Sequence, residues 1–365
     1  MPLVTRHSSL VTPWKNPVEA VWFAIVAGML AVYTVLDGFD FGAGILHRFV
    51  ARTDEERRTV FAAIGPVWDG NEVWLIAAGG VLFLAFPRVY SAAFSGFYLA
   101  LMIVLWLLIL RGIAIESRSR QENPLWREFW DTIFALASGL LAVVLGVALG
   151  NVVRGVPVDG TGLFFIPLFT DFLPGAHPGI FDWYTALVGA FTLCALAGHG
   201  ALYLVWKTNG PVQVRSRTCA YRAWLVVLPL WLAVTLATAR LRPETFTHLL
   251  ARPWFLGFVV LMLGGAGGVF YFLRHGRELA AFLSSSSFLL GLLAATMAGI
   301  YPVWLRSTID PAHSLTAANS AAAGYGLQVA LVWWSIGIAL AGGYFVNLFR
   351  SVRGKVAVGG EEHGY

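Results

Sequence analysis

Apolar stretches of bilayer-spanning length recur from residue 17 to residue 349, separated by short polar segments. A helix needs about 20 such residues to cross a hydrocarbon core. Their positions predict nine transmembrane helices, at about 17–47, 58–86, 91–115, 131–153, 182–206, 219–240, 254–273, 279–302 and 325–349. The first two exceed the minimum and are expected to tilt or to extend past the bilayer. A β-barrel would instead show alternating segments of about ten residues. The pattern predicts an all-α polytopic membrane protein, with residues 1–365 forming one integral-membrane domain. Nine helices suit two four-helix bundles plus one peripheral helix, although no sequence repeat marks the halves. Residues 1–16 are polar and show no small-residue cleavage site behind a short apolar core, so a removable signal peptide is not expected.

Composition agrees with the pattern: 58% of residues are hydrophobic, 12% are charged, and the mean hydropathy is +0.71. Soluble domains carry about 25% charged residues. Charge adds an orientation. Most Lys and Arg residues fall in one set of loops: Arg48, Arg52, Arg57, Arg58; Arg111, Arg118, Arg120, Arg127; Lys207, Arg215, Arg217, Arg222; Arg274, Arg277; Arg350, Arg353, Lys355. The other set holds Arg6, Lys15, Arg88, Arg154, Arg240, Arg242, Arg252 and Arg306. With nine crossings, this bias predicts a multi-pass membrane protein with its N-terminus extracytoplasmic and its C-terminus cytoplasmic. The pI near 9.4 then reflects loops lying beside anionic membrane lipid, and no nucleic-acid partner is expected. Cys194 and Cys219 form no CxxC pair, so neither a disulfide framework nor a thiolate metal site is supported.

One connection is long. Residues 154–181 are rich in Gly, Pro and aromatics, and their apolar character predicts an ordered cap over the bundle. Trp22, Trp126, Trp130, Trp183, Tyr184, Trp206, Trp254, Tyr301 and Trp304 fall near predicted span ends, as in an interfacial aromatic belt.

Four carboxylates interrupt the apolar runs: Asp37 and Asp40 in VLDGFDFGAG, and Asp69 and Glu72 in PVWDGNEVWL. An ionised side chain at the bilayer centre costs about 2.5–3.5 kcal/mol on insertion scales, and such residues usually face a bundle interior or an ion path. Each pair has i, i+3 spacing, which places both acids on one helix face. Gly38, Gly42 and Gly44 would let a neighbouring backbone approach. A continuous second span puts Asp69 about 16 Å deep, and the first span puts Asp40 about 10 Å deep, as a staggered proton relay requires. Pro66 and Gly70 are expected to loosen that span, and Asn71 adds a neutral polar group. The plainer alternative is that the acids pair with Arg111, Lys207 or backbone amides and hold helices together.

Haem or metal ligation finds little support. His7, His47, His177, His248, His275, His313 and His363 fall in tails, loops or span ends, and only His199 is well inside a span. No motif ties Met29, Met102, Met262 or Met297 to it, as His/Met ligation would require. No cofactor-binding or metal-binding residue is assigned, and no redox centre is expected in this chain.

The segments VLDGFDFGAGIL, TDEERR and IGPVWDGNEVWLIAAGGVLFLAFPRVYSAAFSGFYLA make the chain resemble subunit II of the cytochrome bd quinol oxidases. The resemblance is nearly continuous over residues 33–118 and returns in AANSAAAGYGLQVALVWWSIGIAL; residues 150–300 follow it by hydropathy only. It implies a heterodimer with subunit I, which carries two b-type haems and one d-type haem. The complex oxidises quinol, reduces oxygen to water and draws protons from the cytoplasm. Small single-helix accessory subunits occur in some members, and a structural quinone binds subunit II in several. By the same resemblance Asp69 occupies a position implicated in proton delivery, and Asp37 and Asp40 match an acidic pair. Trp74 matches the mouth of an oxygen channel. Glu72 departs from members that carry Gln, which weakens an ionisable role there. A stand-alone proton-coupled transporter is the competing reading; it predicts broken helices in both halves, whereas Pro66/Gly70 has no counterpart in the second. A purely structural scaffold, with the acids in neutral hydrogen-bonded pairs, is the third.

Overall fold

A computed structural model describes residues 17–356, apart from the Trp254 side chain. Arg6, His7, Lys15 and His363 lie outside the described residues. The chain forms helices α1 (Pro17–Val50), α2 (Asp54–Ile64), α3 (Trp68–Ala85), α4 (Pro87–Gly96), α5 (Tyr98–Ser117), α6 (Pro124–Arg154), α7 (Trp183–Lys207), α8 (Gly210–Leu241), α9 (Pro243–Leu250), α10 (Leu256–Arg274), α11 (Glu278–Ile300), α12 (Ala317–Ser320) and α13 (Gly324–Ser351). Among the described residues eight of these, α1, α5, α6, α7, α8, α10, α11 and α13, have the length and apolar character to cross a membrane. The ninth predicted span corresponds to α3, whose 18 residues begin with the polar positions Asp69, Asn71 and Glu72.

Two predicted spans are broken. The expected helix at 58–86 divides at Gly65–Val67, where Pro66 has no N–H to continue the ladder. Upstream, α2 is a separate helix started by a capping box: Thr53 accepts from the Glu56 backbone, and Glu56 accepts from the Thr53 N–H at 3.2 Å. The expected helix at 91–115 divides at Phe97 into α4 and α5, and α4 begins at Pro87, a favourable first helical position.

α1 is the hub, packing on α3, α6, α7 and α11. One group of helices is α1, α3, α5 and α6; a second is α7, α8, α10 and α11, and the groups meet where α7 packs on α1 and α6. The α1–α7 crossing brings backbones together: a Cβ on Gly42 would lie 2.0 Å from the Leu196 carbonyl oxygen and 2.7 Å from the Gly200 backbone. Only glycine fits there. α13 stands outside both groups, with Leu327 its one buried residue.

The 155–182 connection is an ordered cap, as its composition predicts. Val156, Val158, Phe164, Ile166 and Ile180 are buried and pack with Trp22, Phe86 and Trp304. The Val156 N–H donates to Arg306 O at 2.9 Å, and the Ser307 hydroxyl donates to Val158 O at 2.6 Å. An ion pair between buried Arg154 and Asp182 closes the base of the loop. A two-stranded antiparallel sheet, β1 (Val303–Leu305) and β2 (Leu315–Thr316), completes this end.

Candidate functional site

Three of the four singled-out acids converge around one arginine. Asp37 and Asp40 project from α1 and are fully buried. Arg111 on α5, also fully buried, donates to Asp37 through Nη1 at 2.5 Å and Nη2 at 3.2 Å, a bidentate pair. The same Nη2 donates to Glu72 Oε2 of α3 at 2.9 Å. The guanidinium also lies over the Phe41 ring, 4.5 Å from its centroid. Arg111 thus ties α1, α3 and α5 at one point, and it keeps its charge because guanidinium does not lose its proton in proteins. The other suggested counter-ion, Lys207, is elsewhere: it donates to Val352 O at 2.5 Å and Gly354 O at 2.9 Å.

Asp40 differs from Asp37. Its Oδ2 accepts from Asn71 Nδ2 at 2.8 Å, and its Oδ1 has no hydrogen-bond partner among the described residues. Among the described residues no cation pairs with it, so a charge on buried Asp40 would be met only by the neutral Asn71 amide. Asn71 also donates to Leu36 O at 3.3 Å, which fixes the start of α3 against α1.

Asp69 is not in the cluster. It sits in the first turn of α3, exposed, with no hydrogen bond or ion pair among the described residues. The expected depth of about 16 Å assumed a continuous helix from residue 58; the break at Pro66 removes those turns, so Asp69 lies at the helix entrance. It remains one turn from Glu72 on the same face. Trp74, half-buried on α3, faces outward to α13, its ring 5.7 Å from that of Phe345.

His199 is buried with both ring nitrogens engaged, Nδ1 with Ser285 Oγ at 2.7 Å and Nε2 with Val35 O at 2.9 Å. Its ring stacks on Phe282 at 4.9 Å. Both cysteines are free thiols, and among the described residues no group of three or more His, Cys, Asp or Glu is placed to hold a metal ion.

A second charged cluster escaped the sequence reading. Buried Asp131 of α6 accepts from His47 Nε2 at 2.7 Å, Arg118 Nε at 2.6 Å and Arg57 Nη1 at 2.9 Å. Arg118 and Arg127 also hold Asp54, at 2.8 and 2.9 Å, while Arg48 and Arg57 hold Glu128. This lattice clamps α2 across the ends of α1, α5 and α6. On the opposite flank of α2, Arg215 of α8 lies 2.5 Å from Glu56 and holds that carboxyl below the usual carboxylate range. The TDEERR run carried the local signal, but Asp131 stood alone at the start of a predicted span.

Residues 18–352 match the family described as cytochrome bd terminal oxidase subunit II. Subunit 2 of the cytochrome bd-I ubiquinol oxidase of Escherichia coli (strain K12) is 40% identical over 208 residues, 57% of this chain and 54% of that relative. The matched part therefore spans about half of the E. coli subunit's length. Subunit 2 of the cytochrome bd ubiquinol oxidase of Bacillus subtilis (strain 168) is 30% identical over 312 residues, 85% of this chain and 88% of that relative. A probable cytochrome oxidase subunit 2 of Haemophilus influenzae is 29% identical and covers 92% of this chain. Among solved structures, the bd oxidase from Geobacillus thermodenitrificans superposes with a TM-score of 0.70 at 18% identity, over 92% of this chain and 98% of that one. At that identity the likeness is one of fold.

Proposed function

Since the chain belongs to the cytochrome bd terminal oxidase subunit II family, we propose that it is the haem-free subunit of a quinol:oxygen oxidoreductase of the bacterial inner membrane. In this reading it scaffolds a haem-bearing subunit I and supplies part of the cytoplasmic proton path for the reduction of oxygen to water. The arginine-rich end of the bundle faces the cytoplasm.

The observation that carries the proton path is the asymmetry at Arg111. Asp37 and Glu72 share its charge, whereas Asp40, next to them, has an amide partner on one oxygen and none on the other. A buried carboxyl without a counter-ion gains most from carrying a proton, whereas its two neighbours both hydrogen-bond the one guanidinium. Asp69, exposed at the entrance of α3, is the collecting group, and Glu72, partly exposed one turn on, is the step between them. Asn71 orients the Asp40 carboxyl. Arg111 holds its charge throughout and sets the local field.

Haem ligation does not fit the two buried histidines among the described residues: both nitrogens of His199 are committed to hydrogen bonds, and His47 is held through Nε2 by Asp131 among the arginines at the end of the bundle. The two b-type haems and the d-type haem therefore belong to subunit I in this reading, and no step is assigned to them here. An apolar cleft of about 390 Å³ between α1, α10 and α11, with Arg252 and Tyr301 at its mouth, has the character a structural quinone needs. Trp74 is assigned to oxygen access, and a small single-helix subunit is a further partner of the same complex. The transporter reading is disfavoured, because α7, α8, α10 and α11 of the second group each run as one helix, α8 from Gly210 to Leu241 with Pro229 inside it.

The test is co-purification in mild detergent with reduced-minus-oxidised spectra, followed by oxygen uptake of Asp69→Asn and Asp40→Asn. Both variants should assemble with unchanged haem content and lose quinol-dependent turnover. Recovery of this chain alone and colourless would reject the oxidase reading; unchanged turnover in both variants would reject the relay.

A further inference from the structure

A third cluster of charge lies where α8 and α10 meet at the arginine-rich end of the bundle. An open cleft of about 690 Å³ is lined by Arg217, Tyr221 and Arg222 of α8 and by Arg274, His275 and Gly276 at the end of α10. Its arginines differ from most others in the protein. Arg111, Arg118, Arg154 and Arg215 are all in ion pairs, but Arg217, Arg222 and Arg274 have no carboxylate within 4.0 Å among the described residues. Arg217 is anchored by a 2.6 Å hydrogen bond from Nη2 to Leu273 O, which leaves its remaining N–H groups directed at no protein acceptor. Gly276, at φ 69°, closes α10 with a left-handed turn, and Arg277 N–H returns to Phe272 O at 3.0 Å. The turn forms the rim of the cleft.

Depth decides what such a cleft meets. α8 has 32 residues, about 48 Å of helix, against a hydrocarbon core of about 30 Å. α10, with 19 residues, is about as long as the core is thick. Arg274, at the end of α10, therefore stands at headgroup level, and the overhanging first turns of α8 hold Arg217 and Arg222 beside it. Running away from the cleft along α10, positions 271, 267 and 264 share the face of Arg274. Tyr271 is exposed there, and nothing in the protein lies within 4 Å of a Cβ built on Gly267 or Gly264. On α8, Leu225 is exposed beneath the arginines. Beside the cationic cleft, α10 thus presents an exposed strip about 15 Å long, a shallow trough where its two glycines leave open space.

We propose that this cleft binds the phosphodiester headgroup of an anionic glycerophospholipid, with one acyl chain lying along the glycine trough of α10. Three guanidiniums without a protein counter-ion supply charge and donors for phosphate oxygens, and the Tyr221 hydroxyl adds a neutral donor. A zwitterionic headgroup brings a trimethylammonium into the same cleft and is repelled. The site is separate from the Arg111 cluster and does not depend on the oxidase reading.

The test is native mass spectrometry of the full-length protein, isolated with whatever chains accompany it, delipidated and titrated with cardiolipin, phosphatidylglycerol, phosphatidylcholine or inorganic phosphate. Wild type should prefer the two anionic lipids to phosphatidylcholine by about tenfold or more, and Arg222→Gln/Arg274→Gln should lose that preference. Both residues are exposed, so this variant should melt as wild type does. Arg350→Gln/Arg353→Gln removes equal charge from the same end and should leave binding unchanged. Gly267→Phe, which fills the trough, should weaken the diacyl lipids. Equal loss in both double variants, or no preference over phosphatidylcholine, would overturn the assignment. Retention of inorganic phosphate with displacement of lipid would assign the cleft to a free anion and overturn it as well.

Discussion

Arg111→Met is the sharpest probe of the central cluster. Methionine keeps most of the aliphatic length and removes the charge, together with three hydrogen bonds of 2.5, 3.2 and 2.9 Å and the contact over Phe41. Removing one member of a buried ion pair costs about 3–5 kcal/mol, because the other charge stays buried without a partner. Here two carboxylates lose the same partner, and their burial differs. The Glu72 side chain is 20% exposed, so water can replace part of what it loses; Asp37 is fully buried and has no such recourse. Most of the cost should fall on Asp37, so Arg111→Met/Asp37→Asn should recover at least half of the lost stability and Arg111→Met/Glu72→Gln much less. Thermal unfolding in detergent, followed by loss of helical circular dichroism, reads all four proteins at one pH. A double variant with Asp37→Asn no more stable than Arg111→Met alone would refute the argument, since the cost would then lie in packing and not in an orphaned charge.

Other expectations follow from separate parts of the molecule. Asp40→Asn keeps the shape and the Asn71 contact but cannot exchange a proton; oxygen uptake by the assembled protein should fall by about tenfold or more, with haem spectra unchanged. Gly42→Ala would force a Cβ to 2.0 Å from Leu196 O, and the shift of α7 should cost about 1–3 kcal/mol, read as a lower melting temperature; Gly80→Ala, with open space around it, should be near neutral. Arg215 holds the Glu56 carboxyl below its usual range, so this pair adds stability above the ordinary glutamate value of about 4.3 and loses it as pH falls through the lower folded value. Arg215→Met should flatten that acid limb of a melting-temperature profile.

Much of the architecture was legible because a bilayer imposes a length rule. The ends of α7, α10, α11 and α13 lie within a few residues of the hydropathy boundaries. Pro66 was expected to loosen the second span, but a complete break there was not legible, because apolar residues flank it on both sides and the run reads as one span. The Thr53–Glu56 capping box was a readable start for α2, one that hydropathy alone placed four residues late. Within the site, i, i+3 spacing put Asp37 and Asp40 on one face of α1, where both are buried, and Arg111 was visible as a possible partner. That Arg111 would take Asp37 and Glu72 and leave Asp40 depends on the rotation of α3 against α1, which Asn71 sets and no local pattern encodes. Asp131 shows the same limit: its donors come from α1, α2 and the end of α5, 13 to 84 residues away.

The Arg111 cluster also has an electrical meaning. Three carboxyls surround one permanent cation, so the assembly stores charge only in whole-proton steps taken by the acids. A membrane voltage does work of about 2.3 kcal/mol on each elementary charge moved through 100 mV. In the proposed relay, voltage acts on the loading of Asp40 and leaves the guanidinium fixed. The cluster then behaves as a small capacitor with one plate pinned, and a voltage step across oriented membranes would register its filling as displaced charge before any oxygen is consumed.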